Sequence, residues 1–181
     1  SRVSVLIPKT VWLVRSGDTV ILIDTGVVDL AGLALVHGTY EGPLAHVVTP
    51  EMSLLNQLAG HGVQPEDVDI IVQSHLHYDH LGALDQFPNA TILVNPLEVA
   101  WALCPQPFSL YYYPEFRDIV LSVLDRVRLV GDRHTVAPGI TMVRTGGHSP
   151  GHSVVFVETA DGTVALLGDL VYHYRSLELD I

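Results

Sequence analysis

An α/β fold is predicted by three features of this 181-residue chain. Short apolar runs rich in Val and Ile, at residues 69–73 and 91–94, alternate with stretches of helical spacing through the middle of the chain. Beyond Leu124 the helical spacing gives way to a β-rich half. Polar motifs stand where the runs end, in Asp24-Thr25-Gly26, in Ser74-His75-Leu76-His77-Tyr78-Asp79-His80 and in Gly168-Asp169. In open sheets the carboxyl ends of strands are where ligands collect.

Length and composition suit one domain over residues 1–181, large enough to bury ~70% of its unfolded surface. Hydrophobic content of 48% with 16% charged residues marks a globular protein, and no apolar stretch nears the ~18 residues of a membrane span. The first residues show no charged and then apolar leader, so a cytoplasmic location is expected, while the absence of an initiator Met leaves the native start open. The formal charge is -11 with a single lysine, Lys9, so no basic stripe exists to follow a phosphate backbone and nucleic acid is excluded as a partner. Carboxylates placed beside divalent metal would balance part of that acid excess. The lone cysteine, Cys104, rules out an intrachain disulfide and is expected to be a buried, inert thiol.

In chain order, residues 11–14 and 20–23 read as a hairpin around Ser16-Gly17-Asp18. Asp24 then has two readings, a turn cap or a carboxylate that orients a ligand histidine. Residues 27–49, with His37, Gly38, Gly42, Pro43 and His46, lack a period and read as a long loop over the site. Thr49-Pro50-Glu51-Met52 opens a helix with Thr49 as N-cap and an apolar face of Leu54, Leu55 and Leu58. Gly60 and Gly62 close it, and His61 is expected in solvent there. Strand 69–73 leads into the histidines. If it persists to His77, alternation turns His75 and His77 to one side. Asp79, with Leu81, Leu84 and Phe87 after it, marks a helix start that folds its carboxylate and His80 back toward them.

Residues 91–94 and 96–103 continue the β-α alternation. Pro105, Pro107 and Pro114 then break regular structure around Phe108, Tyr111, Tyr112 and Tyr113, rings that either pack a loop on the core or wall a substrate pocket. Residues 116–124 resume helical spacing with Ile119, Val120, Val123 and Leu124 as the buried face. Strands follow at 127–130, 140–144, 154–158 and 164–167, the last two joined by Ala160-Asp161-Gly162.

The chemistry concentrates at three places. His75, His77, Asp79 and His80 put four metal-capable side chains into six consecutive positions, a density that packing alone does not require. Gly146-Gly147-His148-Ser149-Pro150-Gly151-His152 lies between strands, where glycines allow close backbone approach and His148 can face a metal. Asp169 follows a buried strand within Gly168-Asp169-Leu170-Val171-Tyr172.

His75-Leu76-His77-Tyr78-Asp79-His80, then His148, then Gly168-Asp169, in that order, resembles the metallo-β-lactamase superfamily of metal-dependent hydrolases over about residues 11–172. Asp169 stands where one class of zinc β-lactamases carries Cys, and Tyr172 with the phrase from Gly147 to His152 is similar to the N-acyl homoserine lactonases. The resemblance implies a four-layer αββα sandwich. It also implies that His75, His77 and His148 hold one divalent metal, that Asp79 and His80 hold a second, and that Asp169 bridges them. Zinc is expected, and iron, manganese or cobalt suit the same donors.

The implied reaction opens a lactone, N-acyl homoserine lactone first, by attack of a hydroxide shared between the metals. Asp79 helps to move the proton, and Tyr172 either donates a hydrogen bond to the reacting oxygens or fills space. His152 reads as a supporting hydrogen-bond donor. The family pattern places a last histidine well beyond the bridging Asp, whereas His173 is the sole histidine after Asp169 and its spacing differs. The chain is therefore expected to stop before the final strands and helix. On the same scaffold, a glutathione thioester hydrolase or other esterase, a mononuclear iron persulfide oxygenase and a non-catalytic binding or scaffold protein are the alternatives. The expected partner is a small lactone or ester, and a homodimer is one option for the oligomeric state.

Overall fold

The computed structural model describes residues 8–27, 49–106 and 117–179. Its apolar runs pair into two sheets. β1 (Trp12–Ser16) and β2 (Thr19–Ile23) form the expected hairpin, with Gly17 at φ +60 in the turn, where a side chain would be strained. β2 then pairs in parallel with β3 (Ile70–Val72), β3 with β4 (Thr91–Val94), and β4 with β5 (Val127–Leu129). Parallel neighbours need long crossovers. These carry α1 (Leu54–Gly60), α2 (Tyr78–Leu81), α3 (Pro96–Leu103) and α4 (Arg117–Ser122). The second sheet is an antiparallel meander of β6 (Arg133–Ala137), β7 (Ile140–Arg144), β8 (Ser153–Thr159) and β9 (Gly162–Leu166), followed by α5 (Tyr174–Leu179).

Strand alternation divides the apolar side chains between two cores. Leu22, Ile71, Ile92 and Val94 face the helices and meet Leu58, Leu81, Phe87, Ala102 and Val120. Ile21, Ile23, Val72 and Leu93 point the other way and meet Ile140, Met142, Val155, Val157 and Leu166 of the second sheet. The layers are thus helix, sheet and sheet, three successive layers of the αββα sandwich. No helix among the described residues is long and apolar enough to cross a membrane.

Several expectations are corrected. β3 stops at Val72, so His75 and His77 are placed by a turn and not by strand alternation. The following helix begins at Tyr78 with His77 as N-cap, which puts Asp79 inside it. Leu84 and Phe87 are buried but off that helix, because the chain re-forms as a 3-10 turn over Leu84–Gln86. Thr49-Pro50 opens only the 3-10 turn Pro50–Met52; Ser53 is extended at ψ 129, and α1 starts after it. β5 joins the first sheet, β6 is an additional, partly exposed strand, and Leu124 lies beyond α4 and is 40% exposed. Cys104 is exposed, because α3 ends at Leu103 and the chain turns outward at φ -139. The loop around His37 and His46 and the aromatic stretch at 108–113 lie outside the described residues.

Leu93 is buried between the two sheets. Leu93→Ala is expected to cost about 2–5 kcal/mol of stability, measured as a lower urea midpoint at unchanged slope.

Candidate metal centre

The two sheets meet at one edge, where the segments following β2, β3, β7 and β9 converge. The backbone stitches them together: Asp24 N donates to Val72 O at 2.9 Å, Thr25 N to His80 O at 2.7 Å, and Ser153 N to Ser74 O at 2.8 Å. The last of these joins the second sheet to the histidine segment of the first.

Asp24, buried and at φ +63, accepts three hydrogen bonds. Ser74 N donates to Oδ1 at 2.7 Å, Ser74 Oγ to Oδ2 at 2.7 Å, and His80 Nδ1 to Oδ2 at 2.8 Å. A left-handed non-glycine backbone costs of order 1 kcal/mol, a strain these bonds offset. Of the two readings of Asp24, the geometry supports the orienting one. Because the Ser74 hydroxyl gives its only proton to Asp24, it must accept from His75 Nδ1, 3.0 Å away. One carboxylate therefore fixes Nδ1 of both His75 and His80 as a donor and turns each Nε2 toward the same small volume. His75 Nε2 is buried without a hydrogen-bond partner among the described residues, and His80 Nε2 faces Asp169.

The other donors gather around those two nitrogens. His77 Nδ1 lies 2.9 Å from His148 Nε2. Asp169 reaches both sides, with Oδ1 at 3.1 Å from His80 Nε2 and Oδ2 at 3.6 Å from His148 Nε2. Two sets of ligand atoms result, His75-His77-His148 and His75-His80-Asp169, each with its atoms within 4.8 Å of one another. Imidazole nitrogens and a carboxylate at such spacing suit a divalent transition metal, and unpaired buried lone pairs are what such an ion would satisfy. Asp79 is outside both sets. It is buried, stands 4.0 Å from His80 Nε2, and forms an ion pair with Lys9. The Tyr172 hydroxyl is 3.2 Å from His148 Nδ1 on a side chain that is 52% exposed.

His152 is fully buried beside the set. Its Nδ1 lies 3.0 Å from the Thr145 hydroxyl, whose proton is directed to backbone carbonyls, and its Nε2 has no hydrogen-bond partner among the described residues. Gly168, at φ +53, permits this crowding, since a Cβ there would stand 2.9 Å from His152 Nε2 and 3.1 Å from Ser74 Oγ.

Burial governs the charge states. Desolvation, assisted by the neighbouring rings, holds His75 well below the ordinary value of 6.5. It takes His77 to about 3 and His152 to about 4, and it lowers His148. His80 goes the other way: burial opposes its charge, but the Asp24 and Asp169 carboxylates override that and raise it to about 10. Asp169 is lowered despite its burial, because His80 faces it. With no metal bound, four neutral imidazoles thus sit beside one that is held cationic between two carboxylates.

Residues 6–181 match the model of the metallo-beta-lactamase superfamily. The chain belongs to the metallo-β-lactamase superfamily. Among curated superfamily members, the N-acyl homoserine lactonase AiiA of Bacillus thuringiensis subsp. kurstaki is 32% identical over 179 residues, covering 97% of this chain and 68% of the relative. The N-acyl homoserine lactonase AttM of Rhizobium radiobacter is 33% identical over 125 residues, covering 67% of this chain and 48% of the relative. A solved N-acyl homoserine lactone hydrolase carrying N-hexanoyl-L-homoserine at its catalytic metal center superposes with a TM-score of 0.82 at 31% identity, covering 97% of this chain and 68% of that one.

Ser74 and Thr145 are the supporting residues that the sequence did not single out. The signal for Ser74 is a hydroxyl directly before the first histidine of a buried turn; Thr145 offers none, since its partner lies 7 positions on.

In metal-free protein, His77 and His152 refuse protons until about pH 3 and 4, whereas unfolded histidine takes one at 6.5. The unfolded state then binds more protons, so stability falls as pH drops below 6.5. His80 contributes stability that is fully present below 6.5 and is lost as pH rises through about 10. The melting temperature in chelator is expected to peak near neutrality and to decline on both sides, as read from thermal melts across that range.

Proposed function

We propose that the chain is a dinuclear metal-dependent hydrolase that opens lactones, with N-acyl homoserine lactones as the substrate class. The observation that carries this reading is Asp169, which turns one carboxylate oxygen toward His80 and the other toward His148. In this assignment His75, His77 and His148 would hold one cation, His80 and Asp79 would hold the second, and Asp169 would serve both. Zinc is the proposed metal. When bound, such a pair supplies Lewis acidity that polarises a carbonyl and makes water a better acid.

The chain's own residues do the rest. The reacting atom is the carbonyl carbon of the lactone. Water adds to that carbon, the ring C–O bond breaks, and a hydroxy acid leaves. Asp79 takes the proton from water and returns it to the departing ring oxygen. The Tyr172 hydroxyl, 3.2 Å from His148 Nδ1, is the group assigned to donate to the oxygen that becomes negative. The likeness to lactonases over 97% of the chain supports lactones over other esters.

A pH-stat assay against a lactone panel, with elemental analysis of the same sample, tests the reading: acid release with two equivalents of metal is expected. His148→Ala should lose metal and turnover together, and retention of both would remove it from the ligand set. Tyr172→Phe is expected to keep its metal and to slow turnover roughly 100-fold. An unchanged rate would reduce that ring to packing.

A further inference from the structure

Glu98 lies in the first turn of α3, where Asn95 caps the helix by accepting from Leu97 N at 3.0 Å. An acid in that position ordinarily faces solvent and is favoured by the helix N-terminus. Glu98 instead has 0% exposure. Enclosing a carboxylate costs several kcal/mol unless hydrogen bonds replace its water. Here they come from both halves of the metal centre. Oε2 accepts from Leu76 N at 3.0 Å, the amide between His75 and His77. Oε1 accepts from Ser149 Oγ at 2.7 Å and from Gly151 N at 2.7 Å, on the segment that begins with His148. Gly151 is small for the same reason: a Cβ there would meet Glu98 Cγ at 2.8 Å and Glu98 N at 2.9 Å.

We propose that Glu98 is a positioning residue for the metal centre, whose carboxylate clamps the His75–His77 turn to the His148 segment and so sets the spacing of that ligand set. The proposal rests on the reading that His75, His77 and His148 share a cation. His77 and His148 are 71 positions apart and come from loops of different sheets, yet their ring nitrogens stand 2.9 Å apart. Among the described residues, Glu98 joins the two loops by hydrogen bonds alongside the backbone bond from Ser153 N to Ser74 O. The three groups named here are all donors, which only a carboxylate can serve from both of its oxygens. An isosteric amide would turn an NH2 against either Leu76 N–H or the Ser149–Gly151 pair, and the loops would part to relieve it. Metal whose ligands are no longer held in place then escapes faster.

The test uses the zinc-loaded full chain with Glu98→Gln and Ser149→Ala. Zinc transfer to an excess of chromophoric chelator is timed, and amide exchange is followed at Leu76 and Gly151. Glu98→Gln is expected to release zinc about 10–100-fold faster, with faster exchange at both amides; Ser149→Ala should move both readouts in the same direction by less. Leu58→Ala, a variant in the helix-facing core and away from the layer between the sheets, controls for lost stability and should release zinc at the wild-type rate. Wild-type release from Glu98→Gln, or equal acceleration in Leu58→Ala at matched stability, overturns the clamp. If Glu98→Gln does not fold, Ser149→Ala decides, and an unchanged rate there overturns it. A wild-type chain that takes up no zinc overturns the hydrolase reading and the clamp with it, whereas normal uptake with no effect of Glu98→Gln removes the clamp alone.

Discussion

A buried carboxylate that has already committed its hydrogen bonds is the constraint on which the centre depends. Asp24 accepts from Ser74 twice and from His80 once, and through the Ser74 hydroxyl it dictates the tautomer of His75 as well. The consequence is directional: two imidazoles that would otherwise rotate and exchange protons present the same face, Nε2, toward the same small volume. Orientation is set before any ligand arrives, so little ordering is left to oppose its capture. The strain of φ +63 at Asp24 is the local cost of aiming its side chain inward from the end of β2.

The layering explains why this arrangement can be held. Each sheet supplies loops at the shared edge, and the apolar layer between them, built on Ile23, Val72, Leu93, Met142 and Val155, fixes how the two loop sets approach. A centre made from one sheet alone would lack His148 and Asp169; one made from the other would lack the 75–80 turn. Desolvation by the same packing keeps His75, His77 and His148 neutral and available as donors, while the carboxylates around His80 mark where positive charge is favoured.

Much of the framework was legible in the residues because local signals and tertiary structure agree there. Thr91–Val94 and Pro96–Leu103 form as read, since a β-branched run, an Asn cap and a proline at the first helical position all point one way. β6 was not legible, because Arg133-His134-Thr135 gives a half-exposed strand no apolar run to betray it. The histidine turn was legible in content and not in shape: His75 and His77 face the site, but through a tight turn after a three-residue strand. The role of Asp24 stayed open because Ser74 and His80 lie 50 and 56 positions away. Glu98 was hidden more thoroughly, since an acid in the first turn of a helix looks solvated until Leu76, Ser149 and Gly151 are seen around it.

Cys104 is the sole thiol in the chain, exposed at the residue that ends α3, six positions after Glu98 on that short helix. At ~1.5 Å rise per residue it stands about 9 Å along the axis from the buried acid. A maleimide dye would therefore attach at one defined point and report by its emission whether the helix shifts when the interior carboxylate is altered.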